Sequence, residues 1–254
     1  MGTKSGLHQR QYRHQLDAPA SLPVGKPRQI FEHLQAAIVE HRLVPGAKLP
    51  EDELCAFFGV SRTQVRSALH ALAHSGLLTI ERHRGAFVAK PSPSEATEVF
   101  EARALIEPHI AGLAARRATA DDIGYLRDHV RTEHEALAAG DISKSLSLSG
   151  RFHIAIADIA GHELLGEFVR SLVSKSSLII ALYWRNRDTT CESHSHTALI
   201  DAFEAQDVTR AADIMKDHIV ELRDGLDLTE RNAPTTSLAE LLSSVESATQ
   251  LQSE

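Results

Sequence analysis

Residues Leu54–Leu78 read LCAFFGVSRTQVRSALHALAHSGLL, and this stretch decides the fold of the first third of the chain. Gly59 breaks one apolar helical pattern, and Ser61 is placed to cap the next. In that next pattern Val65, Ala68, Leu69 and Leu72 recur at the spacing of one helical face, which predicts a helix running to about Ser75. Its other side carries Thr63, Arg66, Ser67 and His70, with Arg62 at the edge of the first turn. Two helices joined by a tight glycine turn can set the second into the major groove of DNA. A helix start rich in arginine and small hydroxyl residues suits phosphates. Arginine can also grip guanine through two bonds, and Gln64 can pair with adenine.

Upstream, Ile30, Phe31, Leu34, Ala37 and Ile38 predict a helix over 26–41, ended by the turn at Pro45-Gly46. A short helix follows over 51–58, with acids in its first turn where the helix dipole favours them. Cys55 falls in its apolar pattern and reads as buried filler. Downstream, Leu77–Glu81 and Ala86–Val88 flank the polar turn Arg82-His83-Arg84-Gly85, which predicts a small β-hairpin. Its tip, with His83, Arg84 and Gly85, can reach a DNA backbone or minor groove. The expected organisation is an N-terminal tail over 1–23, a winged helix-turn-helix domain over 24–90, and a linker over 91–94. An all-α helical bundle over 95–228 and a C-terminal tail over 229–254 complete it. Bundle helices are expected over 95–117, 120–139, 141–160, 162–184, 192–205 and 207–227. The fold class is therefore mainly α.

The net charge of −7 hides an asymmetry. Residues 1–90 carry 12 Lys/Arg against 7 Asp/Glu, whereas residues 91–254 carry 15 against 27. A basic front on an acidic body suits a protein that meets a polyanion with its front alone. Two cysteines, Cys55 and Cys191, give no disulfide framework, and the sequence has no apolar run of membrane-spanning length. A cytoplasmic protein without membrane partners is expected.

The run Leu49–Leu54, Gly59–Arg66 with its Gly-Val-Ser-Arg start, Leu69–Leu72 and Arg84–Val88 resembles the GntR family of bacterial regulators over roughly residues 26–89. The resemblance implies that Arg62, Thr63 and Arg66 contact an operator, with Ser61 at the helix start and Gly85 in the wing. Asp52 departs from the pattern, because some members carry an operator-contacting Arg there. The segments Arg103–Glu107, Phe152-His153, Gly161–Leu165, His196 and Met215–His218 resemble the FCD-type ligand domain of the FadR subfamily over about 95–226. That resemblance implies a divalent metal of the zinc, nickel or manganese class on His153, His196 and His218. The fourth position, usually Asp or Asn, is Ser149, and His162 stands where the family carries Asn after the glycine. The resemblance further implies that Arg103 faces an effector cavity and grips an anion. An alternative from spacing alone is that Arg103 pairs with Glu107 one turn on. Tyr183, Trp184, Arg185 and Arg187 are candidates for a pocket mouth, and His194 is a weaker one.

Neutral imidazoles from three helices can converge on a divalent ion in a bundle core. Such a centre could also activate water, so a metal-dependent hydrolase is the alternative from another class, but HExxH, nucleophile-elbow and phosphate-loop motifs are missing. A ligand-independent architectural DNA binder is a second alternative. The expected partners are a double-stranded, palindromic DNA operator, a small-molecule effector and a second copy of the chain, since one recognition helix covers only a few base pairs.

Overall fold

The computed structural model describes residues 25–184 and 190–229, with the backbone alone for 190–193. Three helices and a three-stranded sheet form the first unit: α1 (Lys26–Val39), β1 (Lys48–Leu49), α2 (Glu51–Phe58), α3 (Arg62–His74), β2 (Leu78–Glu81) and β3 (Gly85–Val88). Val65, Ala68, Leu69 and Leu72 of α3 are all buried and meet Ile30, Phe31 and Leu34 of α1 in one apolar cluster. The face read from the sequence is thus the face that folds.

The sheet is antiparallel in the order β1-β3-β2, with Leu49 opposite Ala86 and Leu78 opposite Val88. β1 was not expected, because two residues carry no legible alternation. Its pairing turns the hairpin into a small sheet, and Gly85 opens β3 rather than closing the turn. Cys55 is half-buried at the edge of this cluster instead of fully inside it.

Six further helices make the second unit: α4 (Pro93–Arg117), α5 (Ala120–Ala138), α6 (Ile142–Ala160), α7 (Glu163–Tyr183), α8 (Thr190–Glu204) and α9 (Val208–Asp224). Each expected bundle helix is present, with its ends displaced by at most three residues. α6 is the central element, with Phe152, His153, Ile156 and Ala160 buried and α4, α5 and α7 packed around it.

The expected linker is shorter than its composition suggests. Ser92 accepts from the Glu95 amide while Glu95 accepts from the Ser92 amide, and Pro93 takes the first helical position. This capping box starts α4 inside the Pro/Ser-rich segment. The Tyr183 hydroxyl donates to the Pro91 carbonyl at 2.8 Å, tying the same segment to α7. The units also touch directly, since Leu178 of α7 lies in the apolar cluster of the first unit. The expectations for the N-terminal tail, for residues 230–254 and for Arg185 and Arg187 fall outside the described residues.

Gly59, between α2 and α3, has φ 62 and ψ 43, a left-handed conformation that an L side chain resists. Nothing lies within 4 Å of a Cβ built there, so backbone strain alone should set the effect of a substitution. Gly59→Ala is expected to cost about 1 kcal/mol in urea unfolding. Gly124→Ala, in the exposed interior of α5 with equally open space, should add about 0.5–1 kcal/mol. Equal effects of the two substitutions would contradict this assignment.

Candidate DNA-reading face and buried histidine centre

The first turn of α3 stands against the first turn of α2. Arg66 Nε lies 2.8 and 2.9 Å from the two carboxylate oxygens of Glu51, and Arg62 Nη2 lies 2.7 Å from Asp52 Oδ1. All four side chains are partly or largely exposed, so these are solvent-screened pairs that an incoming phosphate or base can displace. Gln64 turns back on its own helix, where its Oε1 accepts from the Ser61 amide at 3.1 Å. In this free state it caps α3, so pairing with adenine would require that bond to open. Thr63 is exposed on the same turn. At the wing tip His83 has φ 64 and Gly85 φ 101, and all of Arg82–Gly85 is exposed. Arg84 pairs with Glu81, and its guanidinium lies 5.4 Å from the Phe87 ring centroid.

The second site is fully internal. His153 on α6, His196 on α8 and His218 on α9 are each at most 2% exposed, and each offers a ring nitrogen within 4.8 Å of the others. Two buried carboxylates orient the rings from behind. Glu107 Oε2 lies 2.6 Å from His153 Nδ1, and Glu133 Oε2 lies 3.0 Å from His196 Nδ1. A carboxylate accepts only, so these bonds place the proton on Nδ1 and leave the Nε2 lone pair facing inward. His153 Nε2 and His218 Nε2 are 3.3 Å apart, while His196 Nε2 is buried without a hydrogen-bond partner. Phe152 stacks on His196 with ring centroids 4.1 Å apart, which fixes the plane of that ring.

Glu107 serves two neighbours. Arg103 Nε donates to Glu107 Oε1 at 2.5 Å, and its Nη1 donates to Ser176 Oγ at 3.1 Å. Burial raises the Glu107 carboxyl, but the adjacent Arg103 guanidinium and His153 ring outweigh it and bring its pKa to about 2. Burial pushes His153 down to about 4 against the pull of Glu107. Burial, reinforced by the neighbouring rings, holds His218 well below the ordinary histidine range. His153 and His218 are thus neutral imidazoles at pH 7, and the cluster sets one guanidinium against two carboxylates.

A cavity of about 20 Å³ borders this cluster. Arg103, Ser149, His153 and Ser176 line it, together with Val39 and His41 from the first unit. Space for water-sized contents is all it holds in this state.

Residues 26–88 match the bacterial regulatory proteins of the gntR family, and residues 98–221 match the FCD domain. The chain is 31% identical to the Nta operon transcriptional regulator of Aminobacter aminovorans over 171 residues, which cover 66% of this chain and 80% of that protein. The chain belongs to the GntR family of bacterial transcriptional regulators. It is 27% identical to the galactonate operon transcriptional repressor of Escherichia coli over 214 residues, covering 73% of this chain and 90% of that one. In fold it is similar to E. coli McbR/YncC, with a TM-score of 0.70 at 21% identity over 80% of this chain and 99% of that chain. As a member of a family of regulators, this GntR chain is a DNA-binding protein and not the hydrolase weighed as an alternative.

The structure brings the three histidines of the GntR chain together and sets Ser149 on the cavity wall one turn before His153. Arg103 is both paired with Glu107 and on the cavity wall, so the two readings of this residue are compatible. The aromatic pair does not line the cavity: Tyr183 bonds Pro91, and Trp184 bridges to Leu226 and packs on Gly225. His194 is exposed and apart from the cavity lining, and His162 caps α7 by accepting from the Leu165 amide at 3.4 Å. Sequence reasoning missed Glu107 and Glu133 as partners of the rings. The signal for Glu133 was present: it follows Ile123, Leu126 and Val130 on the buried face of α5, where an unpaired acid has no place.

These shifts set the response to acid. His153 has a folded pKa of about 4 against an ordinary 6.5, and Glu107 about 2 against 4.5, so the unfolded chain takes up protons first in both cases. Stability is whole above pH 6.5, falls as pH drops from 6.5 toward 4 through His153, and falls again from 4.5 toward 2 through Glu107. Chelator-treated protein should therefore show a urea midpoint that declines between about pH 7 and pH 5. His153→Phe, if it folds, should lessen that decline, with the share due to His218 remaining. A midpoint independent of pH in this interval would contradict a neutral buried His153.

Proposed function

We propose that this regulator, of the FadR subfamily, binds a palindromic DNA operator as a homodimer and releases or grips it when an anionic metabolite occupies the cavity beside a divalent metal. The observation that carries the reading is the convergence of three buried ring nitrogens beside a cavity that Arg103 also lines. The donor set fits a zinc, nickel or manganese ion. His196 Nε2 is an orphaned buried acceptor, and the 3.3 Å approach of His153 Nε2 to His218 Nε2 brings two ring nitrogens of one centre together. Charge supports the same conclusion. Arg103 pairs with Glu107 while Glu133 stands behind His196, so two buried carboxylates meet one guanidinium, a balance that a divalent ion turns positive.

Such an ion, when bound, supplies a Lewis-acidic position that attracts a carboxylate. Ser149, a hydroxyl at the position expected of an acid, leaves that surplus positive charge for the ligand to neutralise. Arg103 holds its Nη1 toward Ser176 and the cavity, and a ligand carboxylate can take that bond in place of the serine hydroxyl. Glu107 and Glu133 keep the rings aimed. One relative is the galactonate operon transcriptional repressor, which favours a hydroxy acid from a catabolic or uptake route.

The DNA-reading residues are Ser61, Arg62, Thr63, Gln64 and Arg66 on α3, with His83, Arg84 and Gly85 on the wing. Asp52 pairs with Arg62 at a position where some members carry an operator-contacting arginine, so the operator should differ from theirs. An operator selected from random duplexes gives the reference for binding. Arg66→Ala should weaken it roughly 5- to 150-fold relative to scrambled DNA if Arg66 meets a base edge. Unchanged affinity in folded protein would remove Arg66 from the reading face.

For the sensor, elemental analysis of tag-free protein should find up to one metal per chain, lowered by His196→Ala. Isothermal titration of a dicarboxylate and hydroxy-acid panel should then show heat in metal-loaded protein, lost on chelation and weakened at least tenfold by Arg103→Ala. Binding that survives both changes would defeat the anion reading while leaving the regulator in place.

A further inference from the structure

The cavity beside the histidines is enclosed on one side by the DNA-binding unit itself. Val39 ends α1, and His41 follows its C-cap Glu40, and both line the cavity together with Arg103, His153 and Ser176. At about 20 Å³ the cavity accommodates roughly one water, whereas even a small hydroxy acid needs several times that space. Entry of an effector therefore has to move a wall.

The walls are not equally fixed. Arg103, His153, Ser149 and Ser176 belong to α4, α6 and α7, whose buried faces share one continuous core. Close-packed helices resist such a displacement. The Val39–His41 turn lies outside that core. Ser177 Oγ donates to the Val39 carbonyl at 3.2 Å and lies 3.4 Å from His41 Nε2. Arg151 Nη2 meets Glu40 Oε1 at 3.2 Å, with both side chains about a third to two-fifths exposed. His41 also has φ 56, a left-handed backbone that a non-glycine residue keeps only while its neighbours hold it.

We propose that this turn is the yielding wall: an occupant pushes Val39–His41 away from Ser177 and so tilts the DNA-binding unit. The inference rests on the reading of this cavity as the effector site. Leu178, next to Ser177, stays inserted in the core of the first unit and is 1% exposed, so it serves as a pivot and the units do not separate. α1 carries the tilt to α3 because Ile30, Phe31 and Leu34 share one buried cluster with Val65, Leu69 and Leu72. In a dimer the tilt changes the spacing and angle of two recognition helices, which is the quantity a palindromic operator reads. His41 thereby becomes a sensor residue supplied by the DNA-binding unit.

A test that needs no ligand fills the cavity with side chain. Leu146→Trp enters from α6 and Ile180→Trp from α7, both at positions that line it. Hydrogen exchange of the full chain is then followed by mass spectrometry over peptides spanning residues 36–44, where the Leu43 amide bonds the Ala37 carbonyl at 2.9 Å. We expect exchange there to rise at least tenfold in both variants, with α4 and α9 protected as before, and affinity for the selected operator to change at least threefold. Ser177→Ala, which adds no volume, should raise exchange in the same peptides by itself. Unchanged exchange at 36–44 in folded variants, or loosening confined to α6 and α9, overturns the proposal. If both tryptophan variants unfold, an unaltered Ser177→Ala pattern overturns it instead. An effector that proves uncharged would defeat only the anion reading, since no ligand enters this experiment.

Discussion

The buried carboxylate of Glu107 is the interaction on which the second half of the molecule depends. It sits at the junction of α4 and α6, bonded on one side to Arg103 and on the other to His153. Removing Arg103 would leave the Glu107 charge stranded in a nearly dry interior, which is far costlier than losing a surface pair. The arrangement therefore fixes three things together: the register of α4 on α6, the direction in which the His153 ring points, and the position of the guanidinium at the cavity wall. Glu133 repeats the device for His196 from α5. A core that admits two acids, an arginine and three histidines costs stability, and on the proposed reading the compensation is a preorganised binding centre.

The front of the molecule uses charge differently. Arg62 and Arg66 are exposed and paired with Asp52 and Glu51 on the first turn of the preceding helix. Pairs of this kind contribute little to stability because water screens them. Their effect is to hold two flexible side chains near one geometry and to lower the net positive charge of the reading face before DNA arrives. On the proposed reading, phosphates displace these pairs, which favours operator sequences that also offer base contacts over those that offer phosphates alone. The Gln64 cap acts in the same sense.

Much of this was legible in the sequence where a pattern had many repeats or a glycine had one purpose. The α3 face declared itself through four apolar residues at helical spacing, and Gly59 through the break before Ser61. Bundle helices α4 to α9 emerged for the same reason. Their convergence did not: periodicity says which side of a helix is buried but not which residue of another helix it meets. His153, His196 and His218 came from a family resemblance, and only the fold placed their ring nitrogens within 4.8 Å of one another. Glu107 was visible as a partner of Arg103 one turn away, while its second bond, to a ring 46 residues later, is a tertiary fact. The strand β1 was lost because two residues cannot show alternation, and the start of α4 because a capping box was read as linker composition.

The central claim is that Glu107 and Glu133 set the tautomer of two buried rings and so aim their other nitrogens at a common point. Nitrogen-15 spectra of the imidazoles in metal-free, full-length protein at neutral pH report this directly. His153 should appear as a neutral ring protonated at Nδ1 with the Nε2 shift of an unprotonated nitrogen, His196 should carry a proton on Nδ1, and Glu107→Gln should disturb His153 while sparing His196. A proton on Nε2 in place of Nδ1 at either ring, or imidazolium at His153, would contradict the account.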